Sequence, residues 1–150
     1  TFGAIIDIIN PMKTTIEITN LTKKRINSDL VKKIIKKTVK LAGAKSDIFD
    51  ISIVFVGEKE IKKINRKYRK KNKSTDVLSF NLDSGYNKKG KALVGELVLC
   101  PEVIAKNARE NRVGFLQELA FVLSHGTLHV LDWKHGKKMY ELQDKIISNL

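Results

Sequence analysis

The chain has one cysteine, Cys100, in 150 residues. That excludes an internal disulfide and fits a reducing cytosol. Cys100 ends the apolar run LVLC, which reads as a small buried hydrophobe. No stretch approaches the ~20 apolar residues of a membrane span, so no membrane partner is expected. The opening TFGAIIDIIN lacks the basic n-region of a signal peptide, and Asp7 interrupts its apolar part. A cytoplasmic location is expected. The chain begins with Thr1, and Met12 is a candidate natural start, with residues 1–11 an extension. No repeat or low-complexity block is visible. Acid is scarce, with 16 Asp and Glu against 29 Lys and Arg, a formal charge of +13. Such an excess favours polyanions, nucleic acid above all.

A chain of this length is expected to be one domain, residues 1–150, large enough to bury a core without staples. Alternation and β-branching over Thr14–Asn20 predict a strand. Leu30, Val31, Ile34, Ile35, Thr38, Val39 and Ala42 recur at helical spacing, with Asn27 or Ser28 as N-cap and Gly43 at the end. The lysines of that helix read as a solvated face. Ile48–Val56 predicts a central strand, Glu58–Lys71 a helix with Ile61, Ile64 and Tyr68 inward, and Asp76–Phe80 and Val94–Cys100 two further strands. Between the last two, Asp83 to Gly90 predicts a polar, mobile loop. Pro101 opens a helix to about Arg112. Gly114 separates it from the apolar helix FLQELAFVLSHGTLHVL, and Lys138–Ser148 closes the chain as an amphipathic helix. With no strand in the last third, regular α/β alternation is excluded. The expected class is α+β, a four-stranded mixed sheet packed with about five helices, one of them a zincin-like metal-site helix.

The three histidines of the chain all fall in SHGTLHVLDWKH. His125 and His129 share one helix face, and His135 follows after a gap in which the chain can leave the helix and return. Three imidazoles so arranged bind Zn²⁺, one ion per chain, and leave a fourth position for water. Metzincin proteases use this spacing with a general-base Glu after the first His and a Gly at the turn. Here Gly126 stands at the first place and Asp132 at the second. Asp tolerates the left-handed conformation such a turn needs. A proton acceptor for peptide hydrolysis is missing.

At these residues the chain resembles the YbeY family of metal-dependent endoribonucleases, which act in ribosomal RNA maturation. The family's H-G-x-L-H-L-x-G-Y-D-H is matched by His125-Gly126-Thr127-Leu128-His129-Val130-Leu131-Asp132-Trp133-Lys134-His135. Its N-x-x-Y-R and P-T-D-V-L-S-F are matched by Asn65-Arg66-Lys67-Tyr68-Arg69 and Ser74-Thr75-Asp76-Val77-Leu78-Ser79-Phe80. Gly95-Glu96-Leu97-Val98-Leu99-Cys100 is a looser third match. Asp132-Trp133-Lys134 departs from Gly-Tyr-Asp, so a carboxylate behind His135 must come from elsewhere.

The resemblance implies that His125, His129 and His135 hold Zn²⁺ and that Arg69 is the basic residue needed for activity. It implies a single-strand-specific endoribonuclease of 16S ribosomal RNA 3′-end maturation, with ribosomal RNA and the small ribosomal subunit as partners; no DNA preference is readable. Independently, Arg can stabilise the charge that builds on a phosphorane, or be one solvated charge in a basic helix. Lys62, Lys63, Arg66, Lys67, Lys70, Lys71 and Lys73 surround it and read as an RNA-binding run. Thr75 and Asp76 either bond locally or line the cleft, and Ser79 reads as structural. Trp133 and Tyr68 are either base-stacking platforms or core. Two alternatives stand beside the nuclease: a metallopeptidase-like hydrolase, which requires a carboxylate near the metal, and a non-catalytic ribosome-assembly factor, which requires a fourth protein ligand.

Overall fold

The computed structural model describes residues 13–44, 48–82, 92–148 and 150. The candidate extension, residues 1–11, and the polar segment 83–90 lie outside the described residues. The elements run β1 (Lys13–Asn20), α1 (Ser28–Leu41), β2 (Ile48–Phe55), α2 (Glu58–Arg69), β3 (Val77–Asn81), β4 (Ala92–Leu99), α3 (Pro101–Asn111), α4 (Phe115–Val130) and α5 (Lys137–Ser148). The sheet order is β1-β2-β4-β3. β1, β2 and β4 are parallel, and β3 pairs antiparallel with β4. The class is therefore α+β with a four-stranded mixed sheet, as the residue pattern predicts.

Period-two alternation separates the two faces of the inner strands. Phe49, Ile51, Ile53 and Phe55 of β2 and Leu97 and Leu99 of β4 are fully buried in one cluster. They meet Val31, Ile34, Ile35 and Val39 of α1 and Leu119, Ala120, Val122 and Leu123 of α4. The opposite face carries a smaller cluster, in which Ile61 of α2 packs with Val56, Leu78, Val98 and Cys100. Cys100 is fully buried, and desolvation raises its thiol pKa, so it behaves as an inert hydrophobe.

The helix ends follow from local chemistry. The Asn27 side chain accepts the Leu30 N–H at 3.1 Å to start α1, and Gly43 follows its end at φ 66°. α2 stops at Arg69 because Lys70 turns left-handed at φ 61°, two residues short of the predicted end. Tyr68, expected inward, is 55% exposed, its ring set edge-on against Phe80 of β3 at 5.6 Å between centres, and Asn65 takes the buried place. Its Nδ2 donates to the Lys73 carbonyl at 2.9 Å and folds the returning chain against the helix. Pro101 sits in the first turn of α3, where its missing N–H costs nothing.

Two glycines let α4 lie directly on the sheet. A Cβ on Gly126 would stand 2.9 Å from Leu97 Cδ2 and 3.3 Å from Val77 Cγ2. One on Gly95 would stand 2.4 Å from Val130 Cγ1 and 3.1 Å from the Phe80 carbonyl oxygen. The approach is thus filled by α4 and β4 themselves. Gly95→Ala is expected to destabilise the protein by about 1–3 kcal/mol, the ordinary cost of overpacking, read as a lower urea midpoint at unchanged slope. An unchanged midpoint would mean that α4 is not seated on β4 in this way.

Candidate metal centre

α4 delivers the first two histidines, and its C-terminus delivers the third. His125 and His129 project from one face, one turn apart. After Val130 the chain makes a Schellman turn: Asp132 N–H donates to the His129 carbonyl at 3.0 Å and Trp133 N–H to the Leu128 carbonyl at 2.9 Å. Asp132 takes the left-handed position at φ 66°, which glycine usually holds. The reversal returns His135 to the other two rings.

The three Nε2 atoms form a triangle with edges of 3.0 Å (His125 to His129), 2.9 Å (His129 to His135) and 3.1 Å (His125 to His135). The outward nitrogens determine what those inward atoms are. His129 Nδ1 lies 3.2 Å from the Trp133 carbonyl oxygen, which can only accept, so Nδ1 carries the proton and Nε2 is bare. His125 Nδ1 lies 3.4 Å from Gln143 Oε1, also an acceptor, so its Nε2 is bare too. At least two lone pairs therefore point into one small space, an arrangement that a cation relieves. An ion at ~2.0–2.1 Å from three such nitrogens holds them about 2.9 Å apart at right angles and about 3.4 Å apart in a tetrahedron. The observed edges lie in that window, and the donors fit a divalent ion. Neutral imidazole suits several first-row metals. Among the described residues this is the only group of three or more potential ligands that gathers so closely.

The triad opens on a cavity of about 530 Å³ whose far wall comes from the end of α2, the loop after it and β3. Arg69 lines it together with Lys71, Lys73, Thr75, Asp76 and Ser79. Arg69 is held in place: its Nη2 donates to the Ser79 carbonyl at 2.7 Å, and its guanidinium lies 4.8 Å from the centre of the Phe80 ring. Thr75 and Asp76 do both things read for them, since Thr75 Oγ1 donates to Asp76 Oδ1 at 3.4 Å and both line the cavity. Of the basic run, Lys71 and Lys73 reach this wall; Lys62, Lys63, Arg66, Lys67 and Lys70 are exposed and do not line it. Trp133 and Tyr68 are not among the lining residues either. The aromatic that is there, Phe121, stacks on His125 at 5.9 Å between centres and had been hidden in an apolar helical stripe. Gln143, on α5, also carried no sequence signal. It and the Trp133 carbonyl hold the outward ring nitrogens of His125 and His129. Gly126 faces the sheet, so a protease-type Glu at that position would collide with Leu97 and Val77 instead of reaching the metal.

Burial lowers the pKa of His125 and of His129 below the usual imidazole range, and for His129 the neighbouring rings add to the effect. Both are therefore neutral at pH 7, the form that binds metal. Protons therefore compete with the metal only at a pH below the ordinary imidazole range. Zn²⁺ affinity, measured by chelator competition, is expected to be nearly level from pH 8 to 7 and to fall only once the pH is below that range. A steady decline between pH 8 and 7 would contradict neutral, bare nitrogens.

A profile of the family described as Endoribonuclease YbeY matches residues 14–150. Endoribonuclease YbeY of Buchnera aphidicola subsp. Schizaphis graminum is 38% identical over 132 residues, covering 87% of this chain and 78% of that protein. The protein of the same name from Thermodesulfovibrio yellowstonii is 34% identical over 158 residues, covering 93% of this chain and 99% of its own. The solution structure of TM1509 from Thermotoga maritima has a TM-score of 0.61 at 30% identity, over 89% of this chain and 87% of that one. The match spans β1, the basic helix, the cavity wall and the histidine turn, and on that ground the chain belongs to the YbeY family.

Proposed function

We propose that this protein is a metal-dependent endoribonuclease that hydrolyses phosphodiester bonds in single-stranded or looped RNA. The observation that carries the reading is the placement of three converging imidazole Nε2 atoms and the Arg69 guanidinium on walls of one cavity. The names of the relatives support the activity. We further assign Zn²⁺ as the ion, ribosomal RNA of the small subunit as the substrate, with 16S 3′-end maturation as the process, and the cytoplasm as the location. No helix among the described residues is long and apolar enough to cross a membrane, which is compatible with that location.

His125, His129 and His135 would hold the ion, which when bound supplies Lewis-acid polarisation of a phosphoryl oxygen and a more acidic water. The chain's own residues do the rest. Arg69 donates to the non-bridging oxygens, where negative charge grows in the transition state. Its bond to the Ser79 carbonyl leaves other guanidinium N–H groups for that purpose and fixes their direction in advance. Lys71 and Lys73 draw the phosphate backbone along the same wall. Phe121 offers an apolar ring beside His125 on which an unstacked base can rest. The cavity of about 530 Å³ has room for a splayed nucleotide, the form that single-stranded or looped RNA presents.

Arg69→Ala is expected to lower cleavage of a ribosomal RNA fragment by about 10²–10³-fold, the usual loss for one preorganised donor to a developing oxyanion. Arg69→Lys is expected to recover little of it, since a point charge does not replace the planar fork. Chelation is expected to abolish cleavage and added Zn²⁺ to restore it. Cutting that survives both chelation and His129→Ala would contradict the proposal. Salt dependence separates the two halves of the basic run. Lys71→Ala and Lys73→Ala should each flatten the slope of log affinity against log salt by about 0.7 for single-stranded RNA. Lys63→Ala should leave the slope within error; equal effects from all three would refute the assignment of this wall to the backbone path.

A further inference from the structure

Gln143 lies in α5, far along the chain from the ring it touches, and is 1% exposed. Its Nε2 donates to the Phe121 carbonyl at 3.1 Å and to Ser124 Oγ at 3.3 Å, while Ser124 Oγ itself donates to the same carbonyl at 3.0 Å. A carbonyl cannot donate, so the NH₂ end of the amide must face Phe121. The oxygen end is then turned to His125, 3.4 Å from Nδ1. That oxygen can only accept, so the ring proton sits on Nδ1, and Nε2 is left bare in the triangle of histidine nitrogens. An imidazole in water prefers the other neutral tautomer, with the proton on Nε2, the form that cannot bind a metal through that atom. The hydrogen bond made by one ring nitrogen decides the state of the other.

We propose that Gln143 is a positioning residue for the histidine centre, holding His125 in the Nδ1–H tautomer and so coupling the docking of α5 on α4 to metal affinity. This rests on the reading that the triad holds a divalent ion. The coupling is tight because α5 begins at Lys137, two residues after His135. Gln143 is locked from both sides, by the α4 backbone and by the ring, and Met139 and Ile146, also buried, flank it on the same face of α5. A side chain so enclosed does not rotate to satisfy a different partner.

The test uses the full chain in three forms: wild type, Gln143→Met, which keeps length but has no strong acceptor, and Gln143→Glu, which keeps an oxygen facing the ring. Long-range proton–nitrogen correlations on metal-free protein read the His125 tautomer, and competition with a chromophoric chelator reads the Zn²⁺ dissociation constant. Wild type is expected to show the proton on Nδ1. Gln143→Met is expected to move it largely to Nε2 and to weaken Zn²⁺ binding by about 10–100-fold, with unchanged circular dichroism. Gln143→Glu is expected to keep Nδ1–H and to bind Zn²⁺ within roughly threefold of wild type. Should Gln143→Met not fold, the Glu variant decides through its tautomer: Nδ1–H sustains the proposal and Nε2–H overturns it. Wild-type protein with the proton on Nε2, or Gln143→Met protein that binds Zn²⁺ as wild type does, would overturn the role of Gln143 and leave the histidine centre standing. Wild-type protein that binds no Zn²⁺ would overturn the centre itself, and this role with it.

Discussion

The seating of α4 on β4 sets everything else in place. Gly126 on the helix and Gly95 on the strand remove the two side chains that would hold the layers apart, and Leu97, Val77 and Val130 fill the gap. A helix so close to the sheet presents its next face, the one carrying Phe121, His125 and His129, along the flank of β3. β3 in turn carries the carbonyl that fixes Arg69. The metal side and the cationic side of the cavity are thus related through a packed, interlocked contact rather than through flexible loops. Catalytic groups held this way keep their separation without reorganising, which is the condition for strong electrostatic stabilisation.

On that frame the histidine triangle is an electrostatic problem with one natural solution. Bare Nε2 atoms about 3 Å apart repel each other, and the outward bonds from Nδ1 to the Trp133 carbonyl and Gln143 prevent the rings from relieving the conflict by shifting their protons. Burial works in the same direction by disfavouring protonation. The site is therefore prepared for a cation before one arrives. Among the described residues no fourth His, Cys, Asp or Glu gathers with the three.

Much of this could be read from the chain because it is local. The spacing of His125 and His129 is a helix period, Asp132 is a residue that tolerates a left-handed turn, and the apolar periods of α1 and β2 fall where their buried faces lie. What escaped depends on tertiary contact. Gln143 meets His125 only because α5 folds back on α4, and a lone glutamine on an amphipathic helix carries no mark of that. Phe121 reads as core because it shares the apolar pattern of its neighbours, yet it is 37% exposed at the cavity edge. The basic run divides in a way its pattern does not show. Helical geometry turns successive residues by about 100°, so Lys62 and Lys63, like Arg66 and Lys67, point in different directions from α2, and the left-handed Lys70 precedes the turn of chain that brings Lys71 and Lys73 to the cavity. The same periodicity predicts Tyr68 inward, but the helix rotates Asn65 into the buried place and leaves Tyr68 edge-on to Phe80 at the surface.

The central claim is that three imidazoles of this chain bind one divalent ion and leave part of its coordination sphere to solvent. X-ray absorption at the zinc edge of the reconstituted protein tests it most directly. The account predicts a shell of nitrogen and oxygen scatterers at ~2.0–2.1 Å with the outer-shell signature of three imidazoles and no sulfur. A sulfur shell at about 2.3 Å, which would implicate Cys100, or fewer than three imidazoles on the ion, would contradict it.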